Sequence, residues 1–416
     1  GVVMLDSEQK LQKFVDVSLK IAEINDLDVL LEMILTYARE CVNADSGTIY
    51  IKKGNDLHFT YAQNETLRKR LKPGNKLIYT SFSMPINRSS ISGYVADTGE
   101  ILNLPDVYVL PDDVPYKFNS SYDQKVGYRS TSMLSVPMHT SRNEIIGVLQ
   151  IINALDDDNN ATQFTDEDVK LIRLYANNAA IALERAQMTR TLLLRMISMA
   201  ELRDPKETGP HVNRVAAYSI EIYERWAKNK GMPTDEVNHQ RDILRMAAML
   251  HDVGKVAISD TILKKPGRFT PEEYEIMKTH TYQGAKLFAN PSSAFDEAAI
   301  NVVMNHHENW DGSGYPGYVD IYSGGPDIDH QTDDGNIGKK CYEEIPIFGR
   351  VVALADVFDA MISRRCYKDP IAETEVLDIM KTDSGKKFDP EMFEAFVEVI
   401  DNIRAISDKY TDEEGH

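Results

Sequence analysis

Ten histidines occur among 416 residues, and five of them stand in segments that also supply carboxylates, glycines and prolines. Asn305-His306-His307-Glu308-Asn309-Trp310-Asp311-Gly312-Ser313-Gly314-Tyr315-Pro316 sets two adjacent imidazoles before a turn-rich loop. His251-Asp252-Val253-Gly254-Lys255 places an imidazole, a carboxylate and an ammonium close together. His280 follows a charged segment over 271–279, His211 follows Glu207-Thr208-Gly209-Pro210, and Asp356 sits inside the apolar stretch 351–360. Imidazole with carboxylate suits iron, manganese, zinc or nickel, and the lack of cysteine beside these histidines argues against a thiolate site. The candidate ligands Glu207, His211, His251, Asp252, His280, His306, His307 and Asp356 exceed what one ion needs. A multinuclear centre is therefore expected, with the Asp252 carboxylate as its bridge. If helical, His306 and His307 diverge by roughly 100° and would serve neighbouring ions rather than chelate one.

Two kinds of cation accompany the ligands. Lys255 follows Asp252 just past Gly254. Divalent ions nearby would push its ammonium toward deprotonation, which suits a proton donor to a leaving alkoxide. In Ser363-Arg364-Arg365-Cys366-Tyr367-Lys368, Arg365 and Lys368 are the candidate phosphate partners. Guanidinium grips phosphate through two parallel hydrogen bonds, and lysine acts as a point charge.

The positioning elements are legible from periodicity. The apolar run 243–250 predicts a helix that delivers His251 and Asp252 together. Pro210 suits the first turn of a helix, leaving Glu207 on the loop before it. Residues 7–43 read as helical with a break at Asn25-Asp26. Strands are expected over 46–51, 57–62, 82–86, 132–137 and 145–152, the last nearly all apolar and so central. A helix over 91–98 stops at Gly99. From 165 to about 203 no glycine or proline interrupts the chain. There Val169, Ile172, Tyr175, Ala176, Ala179, Leu183, Ala186, Leu193, Met196 and Ile197 form one apolar stripe. A helix so long with a single seam either pairs with a copy of itself or packs within its own subunit.

A 42% hydrophobic, 27% charged composition is that of a globular chain with two or three cores. No run of eighteen apolar residues predicts a membrane span, and no signal peptide is recognisable. Opening on Gly1 rather than Met leaves room for upstream sequence. Three scattered cysteines, Cys41, Cys341 and Cys366, fit a reducing compartment, so a cytoplasmic protein is expected. A net charge of −19 argues against a nucleic-acid polymer as partner.

His251-Asp252-x-Gly254-Lys255 with His306-His307-Glu308-x-Trp310-Asp311-Gly312-x-Gly314-Tyr315-Pro316 resembles the HD-GYP family of cyclic dinucleotide phosphodiesterases, over about 194–400. The resemblance implies an all-α catalytic domain over 204–416. It also implies metal binding by His211, His251, Asp252, His280, His306, His307 and Asp356, and a third metal where a glutamate stands at the position of Glu207. The implied substrate is cyclic di-GMP, opened to linear pGpG and onward to GMP. The attacking group would be a hydroxide bridging two ions, with Lys255 protonating the departing ribose oxygen. Iron is the implied metal and manganese the alternative. The loop carrying Tyr315 lies beside the site in that family and helps shape the substrate pocket, whereas Trp310 reads as packing. The sequence departs from the family over 317–343, a Gly- and Asp-rich insertion where a few residues are usual. It reads as a lid at the site or as a disordered surface insertion, and composition favours the second.

Gly93-Tyr94-Val95-Ala96-x-Thr98-Gly99, Met133-Leu134-Ser135-Val136-Pro137 and Gly147-Val148-Leu149-Gln150-Ile151-Ile152-Asn153 resemble a GAF domain. That resemblance implies an α/β sensory domain over 1–165, with a six-stranded antiparallel sheet. The helix over 166–203 would link it to the catalytic domain and form a homodimer axis. Asn153 precedes Ala154 where cyclic-nucleotide-binding members carry lysine, so dimerisation without a ligand stands beside an unknown GAF ligand. Two other functions share the metal-ligand set: hydrolysis of cyclic GMP-AMP or another nucleotide, and non-catalytic reception of a cyclic dinucleotide.

Overall fold

The computed structural model describes residues 7–72, 75–77, 79, 82–201, 209–363 and 372–410. The chain divides into two compact units, Gly1–Thr189 and Arg190–His416.

The first unit opens with helices α1 (Ser7–Glu23) and α2 (Leu27–Cys41). They part at Asp26, whose carboxylate accepts from the amides of Asp28 and Val29 and so satisfies two donors that a helix start leaves open. An antiparallel sheet follows, of β1 (Ala44–Lys53), β2 (Asp56–Asn64), β3 (Ser83–Pro85), β4 (Leu102–Leu104), β5 (Met133–His139), β6 (Ile145–Leu155) and β7 (Ala161–Thr162). Its order is β3-β2-β1-β6-β5-β4, with β7 pairing against β6. The central place of β6 explains its unbroken apolar run, since both of its faces are covered. Ile49, Ile51, Leu149 and Ile151 point to α2, while the alternate residues Tyr50 and Val148 pack with Val95 of α3 (Ile91–Thr98). Gly99 ends α3 in the left-handed region at φ 74°. Strands β4 and β7 escape sequence reading because two or three residues carry no period.

Helix α4 runs Asp166–Glu201. Most of its apolar stripe is buried within the chain: Ile172, Tyr175, Ala176, Ala179, Leu183 and Ala186 lie in the first unit's core. Leu193 and Ile197 are buried in that of the second. A different series, Leu174, Ile181 and Met188, remains exposed at 49%, 50% and 66%.

The second unit is helical: α5 (Gly209–Asn229), α6 (Thr234–Ala248), α7 (Pro271–Lys278), α8 (His280–Ala285), α9 (Ala294–Asn305), α10 (Ile347–Ile362), α11 (Glu373–Asp383), α12 (Pro390–Glu398) and α13 (Ile400–Lys409). Val215, Tyr218, Leu244, Val303, Leu354, Phe358 and Phe396 form its core. The insertion over 317–343 is folded, against the compositional expectation of disorder. Tyr318 and Gly338 join through a backbone bond of 2.9 Å, Val319 bridges Pro326, and the Tyr318 and His330 rings stack at 4.0 Å. Its glycines and aspartates are turn residues. Gly324 and Gly335 take positive φ, and Asp320 accepts from the Ser323 amide.

Candidate metal centre

Helix ends deliver the imidazoles. His251 lies just beyond α6 and donates its Nδ1 hydrogen to the Ala248 carbonyl at 2.9 Å. Thr270 and Glu273 form a capping box that starts α7 with Pro271 in its first turn. His280 begins the next helix and donates Nδ1–H back to the Met277 carbonyl at 2.7 Å. His306 caps α9 and sets its Nδ1 3.0 Å from the Val303 carbonyl. His211, in the first turn of α5, donates Nδ1–H to Asp359 Oδ2 at 2.7 Å. Every acceptor is an oxygen without a hydrogen. All four rings therefore carry their proton on Nδ1 and offer the Nε2 lone pair, the arrangement of metal-binding imidazoles.

Two clusters result, Asp252 with His280, His306 and His307, and His211 with His251 and Asp356; within each, the ligand atoms lie within 4.8 Å of one another. Asp252 Oδ1 is 3.3 Å from His280 Nε2 and 3.5 Å from His306 Nε2, and those two nitrogens are 3.5 Å apart. Neither nitrogen brings a hydrogen, and Asp252 Oδ1 is buried without a hydrogen bond. Three lone pairs facing one another repel unless a cation sits among them. A cation about 2.1 Å from each atom gives edges of about 3.0–3.4 Å, close to those seen. The other oxygen, Asp252 Oδ2, is 3.4 Å from His251 Nε2, so the carboxylate spans both clusters. Asp356 Oδ1 lies 3.6 Å from His211 Nε2 and 4.0 Å from His251 Nε2. The donor set fits a divalent metal.

The helical spacing behind the expectation that His306 and His307 face different ions is not met, and both residues fall in the Asp252 cluster. The helix ends at Asn305, so the 100° helical step does not apply, and the two rings lie 4.0 Å apart. Gly254 explains how Asp252 and His280 come so close. A Cβ there would lie 1.8 Å from the His280 carbonyl oxygen and 2.6 Å from the Gly284 nitrogen.

Burial pushes the Asp252 carboxyl up, but its charged neighbours, the Lys255 ammonium first among them, outweigh it and hold the group well below its ordinary value. The Lys255 ammonium is 2.7 Å from Asp252 Oδ2. Burial is also the main reason why His306 titrates low and His307 very low, the latter helped by His306 and His280. Both rings are thus neutral at ordinary pH, as ligation requires.

Tyr315 stacks on His307 at 4.8 Å, with the Lys278 ammonium 5.6 Å from its ring centre. Trp310 packs against Tyr342 and under the Arg350 guanidinium. Glu207, Arg365 and Lys368 lie outside the described residues. Sequence reading passed over Asp359, the orienting acid of His211. Its signal was its place three residues after Asp356 on α10, on the same face.

A family model for the HD domain matches residues 208–361, and one for the GAF domain matches residues 26–183. The chain joins a GAF domain to an HD domain. The HD domain implies a divalent metal, in keeping with the donor set. A cyclic di-GMP phosphodiesterase of Thermotoga maritima is 38% identical over 53% of this chain and 52% of its own length. A 3′3′-cGAMP-specific phosphodiesterase of Vibrio cholerae is 34% identical over 59% of this chain and 42% of its own. A probable cyclic di-GMP phosphodiesterase of Vibrio cholerae is 36% identical over 56% and 49% respectively. This chain thus spans about half the length of the curated relatives it matches. Among the described residues no helix is long and apolar enough to cross a membrane. In the GAF domain, Asn153 is a structural tie, accepting from the Thr131 amide and donating to Tyr128 and the Arg129 carbonyl.

Proposed function

We propose that this chain is an HD-GYP phosphodiesterase that hydrolyses a 3′,5′-phosphodiester of cyclic di-GMP to give linear pGpG. The observation that carries this reading is the Asp252 carboxylate, with one oxygen among the imidazoles of His280 and His306 and the other beside His251. Divalent ions held by His211, His251, Asp252, His280, His306, His307 and Asp356 would supply Lewis acidity toward the phosphoryl oxygens and make water acidic enough to attack. Lys255 is the proton donor to the departing ribose oxygen. Its ammonium rests on Asp252, the carboxylate that spans both clusters, which supports this role. Arg365 and Lys368 grip the phosphates, and Tyr315 walls the substrate beside His307. Glu207 holds a third ion, and iron fills the centre with manganese as the substitute. The protein acts in the cytoplasm as a homodimer whose GAF domain regulates the rate.

The Vibrio cholerae relative named as specific for 3′3′-cGAMP favours a second reading, in which cyclic GMP-AMP is the substrate on the same ligands. A panel of both dinucleotides, with the metal held constant, separates the two. Turnover of cyclic di-GMP that is lost in Lys255→Ala supports the first. Turnover of cyclic GMP-AMP alone supports the second, and turnover of neither overturns the enzyme reading.

A further inference from the structure

The insertion leaves the histidine loop at Gly317 and returns to it at Lys340. At the start of this excursion the Gly317 amide donates to Glu308 Oε1 at 2.5 Å. At its end the Lys340 ammonium donates to Asn305 Oδ1 at 2.9 Å, and the next turn is tied by the Tyr342 amide to the Trp310 carbonyl at 2.8 Å. Asn305 and Glu308 are 3% and 4% exposed, and they immediately flank His306 and His307. Asn305 is itself fixed, its amide donating to the Asn301 carbonyl at 2.8 Å. Lys340 also lies across the Tyr318 ring at 5.1 Å, and Tyr318 is clamped by His330.

An ammonium withdrawn from water is costly unless its contacts are satisfied. Here its partners are the last residue of α9, where a cation also suits the helix carbonyl end, and the attraction of Glu308 on the far side of the histidine pair. We propose that Lys340 is a positioning residue of the metal centre, through which the insertion fixes the turn that aims His306 and His307. The insertion is then neither a lid nor a loose surface loop, but a brace. This rests on the metal-site reading and extends it to a segment that the usual pattern lacks.

The test is Mn2+ binding by calorimetry, with a double-mutant cycle between Lys340 and Asn305. Lys340→Met and Asn305→Ala should each weaken Mn2+ binding by about 10-fold or more, as loss of an orienting partner does. The double variant should be no weaker than the worse single one, because one contact is lost in each case. Lys340→Arg should restore binding to within about threefold of wild type. Melting of the metal-free proteins separates folding from positioning: a purely structural lysine lowers the melting temperature and leaves Mn2+ affinity unchanged. Unchanged affinity in Lys340→Met, additive losses in the cycle, or no rescue by arginine each overturns the proposal. If Lys340→Met does not fold, Asn305→Ala and Lys340→Arg decide it alone, by a loss in the first and retention in the second. Wild type that takes up no Mn2+ refutes the metal-site reading instead.

Discussion

His211 donates its Nδ1 hydrogen to Asp359, and the two oxygens of that carboxylate also hold the Arg214 guanidinium at 2.7 and 3.0 Å. Burial pushes the Asp359 carboxyl up, yet His211 and Arg214 prevail and keep it below its usual range. Asp359→Ala leaves Arg214 buried without its counter-ion and His211 without its orienting partner. The expected loss is about 3–5 kcal/mol of stability, read by urea unfolding, together with 10- to 100-fold weaker metal binding. A variant that unfolds as wild type does would refute this account of the pair. The imidazoles make a pH prediction with a definite sign. His306 and His307 titrate below their ordinary value in the fold, so the unfolded chain binds more protons as pH falls through about 6.5. Stability of the metal-free protein is therefore full above that pH and declines as pH drops from about 6.5 toward the lowered folded values. The melting temperature should fall between pH 7 and 5, and His307→Gln should flatten the slope. The imidazoles that the fold gathers were legible because histidine is scarce and motif-bound. Asp359 was not, since a place three residues after Asp356 does not by itself separate an orienting carboxylate from the ordinary acids of a helix.

Gly254 shows how an element, rather than a ligand, sets the geometry of the centre. The short 3-10 helix Val253–Ala257 meets α8 backbone to backbone, and Gly254 and Gly284 leave each other room. Gly254→Ala must separate the two and carry Asp252 away from His280. Overpacking of this kind costs about 1–3 kcal/mol, and metal retention in equilibrium dialysis should drop with it. Full retention would show that the crossing is not needed. Elements with a strong local signal were readable: the break at Asp26, the stop at Gly99, and the apolar β6. The stripe on α4 was seen, but its partner was left open between a copy and the chain itself, because periodicity reports that a face is buried and not what buries it. The insertion was misread for a related reason. Its Gly and Asp content, typical of loose segments, serves turns that close it on Tyr318 and His330.

At the scale of the molecule, the order of a GAF domain and an HD domain was plain in the sequence, whereas assembly depends on surfaces that only burial reveals. Leu174, Ile181 and Met188 recur every seventh residue on the exposed side of α4. Val15 and Leu19 stand exposed on α1, which is tied to the same helix by Ser18 to Asn178 and by Arg185 to the Ile24 carbonyl. This is the repeat of one of the two apolar positions of a coiled-coil seam. Ile181→Glu is expected to shift the proposed dimer to monomer in sedimentation equilibrium, and a wild type that is already monomeric would refute the dimer. The account's central claim is a metal-dependent phosphodiesterase, and one measurement reaches it most directly: metal content per chain and cyclic di-GMP turnover, read on the same anaerobically purified sample beside Glu207→Ala. The account predicts about three ions in wild type, two in the variant, and linear dinucleotide formed by the wild type. A fully loaded wild type that leaves cyclic di-GMP and cyclic GMP-AMP intact would contradict it.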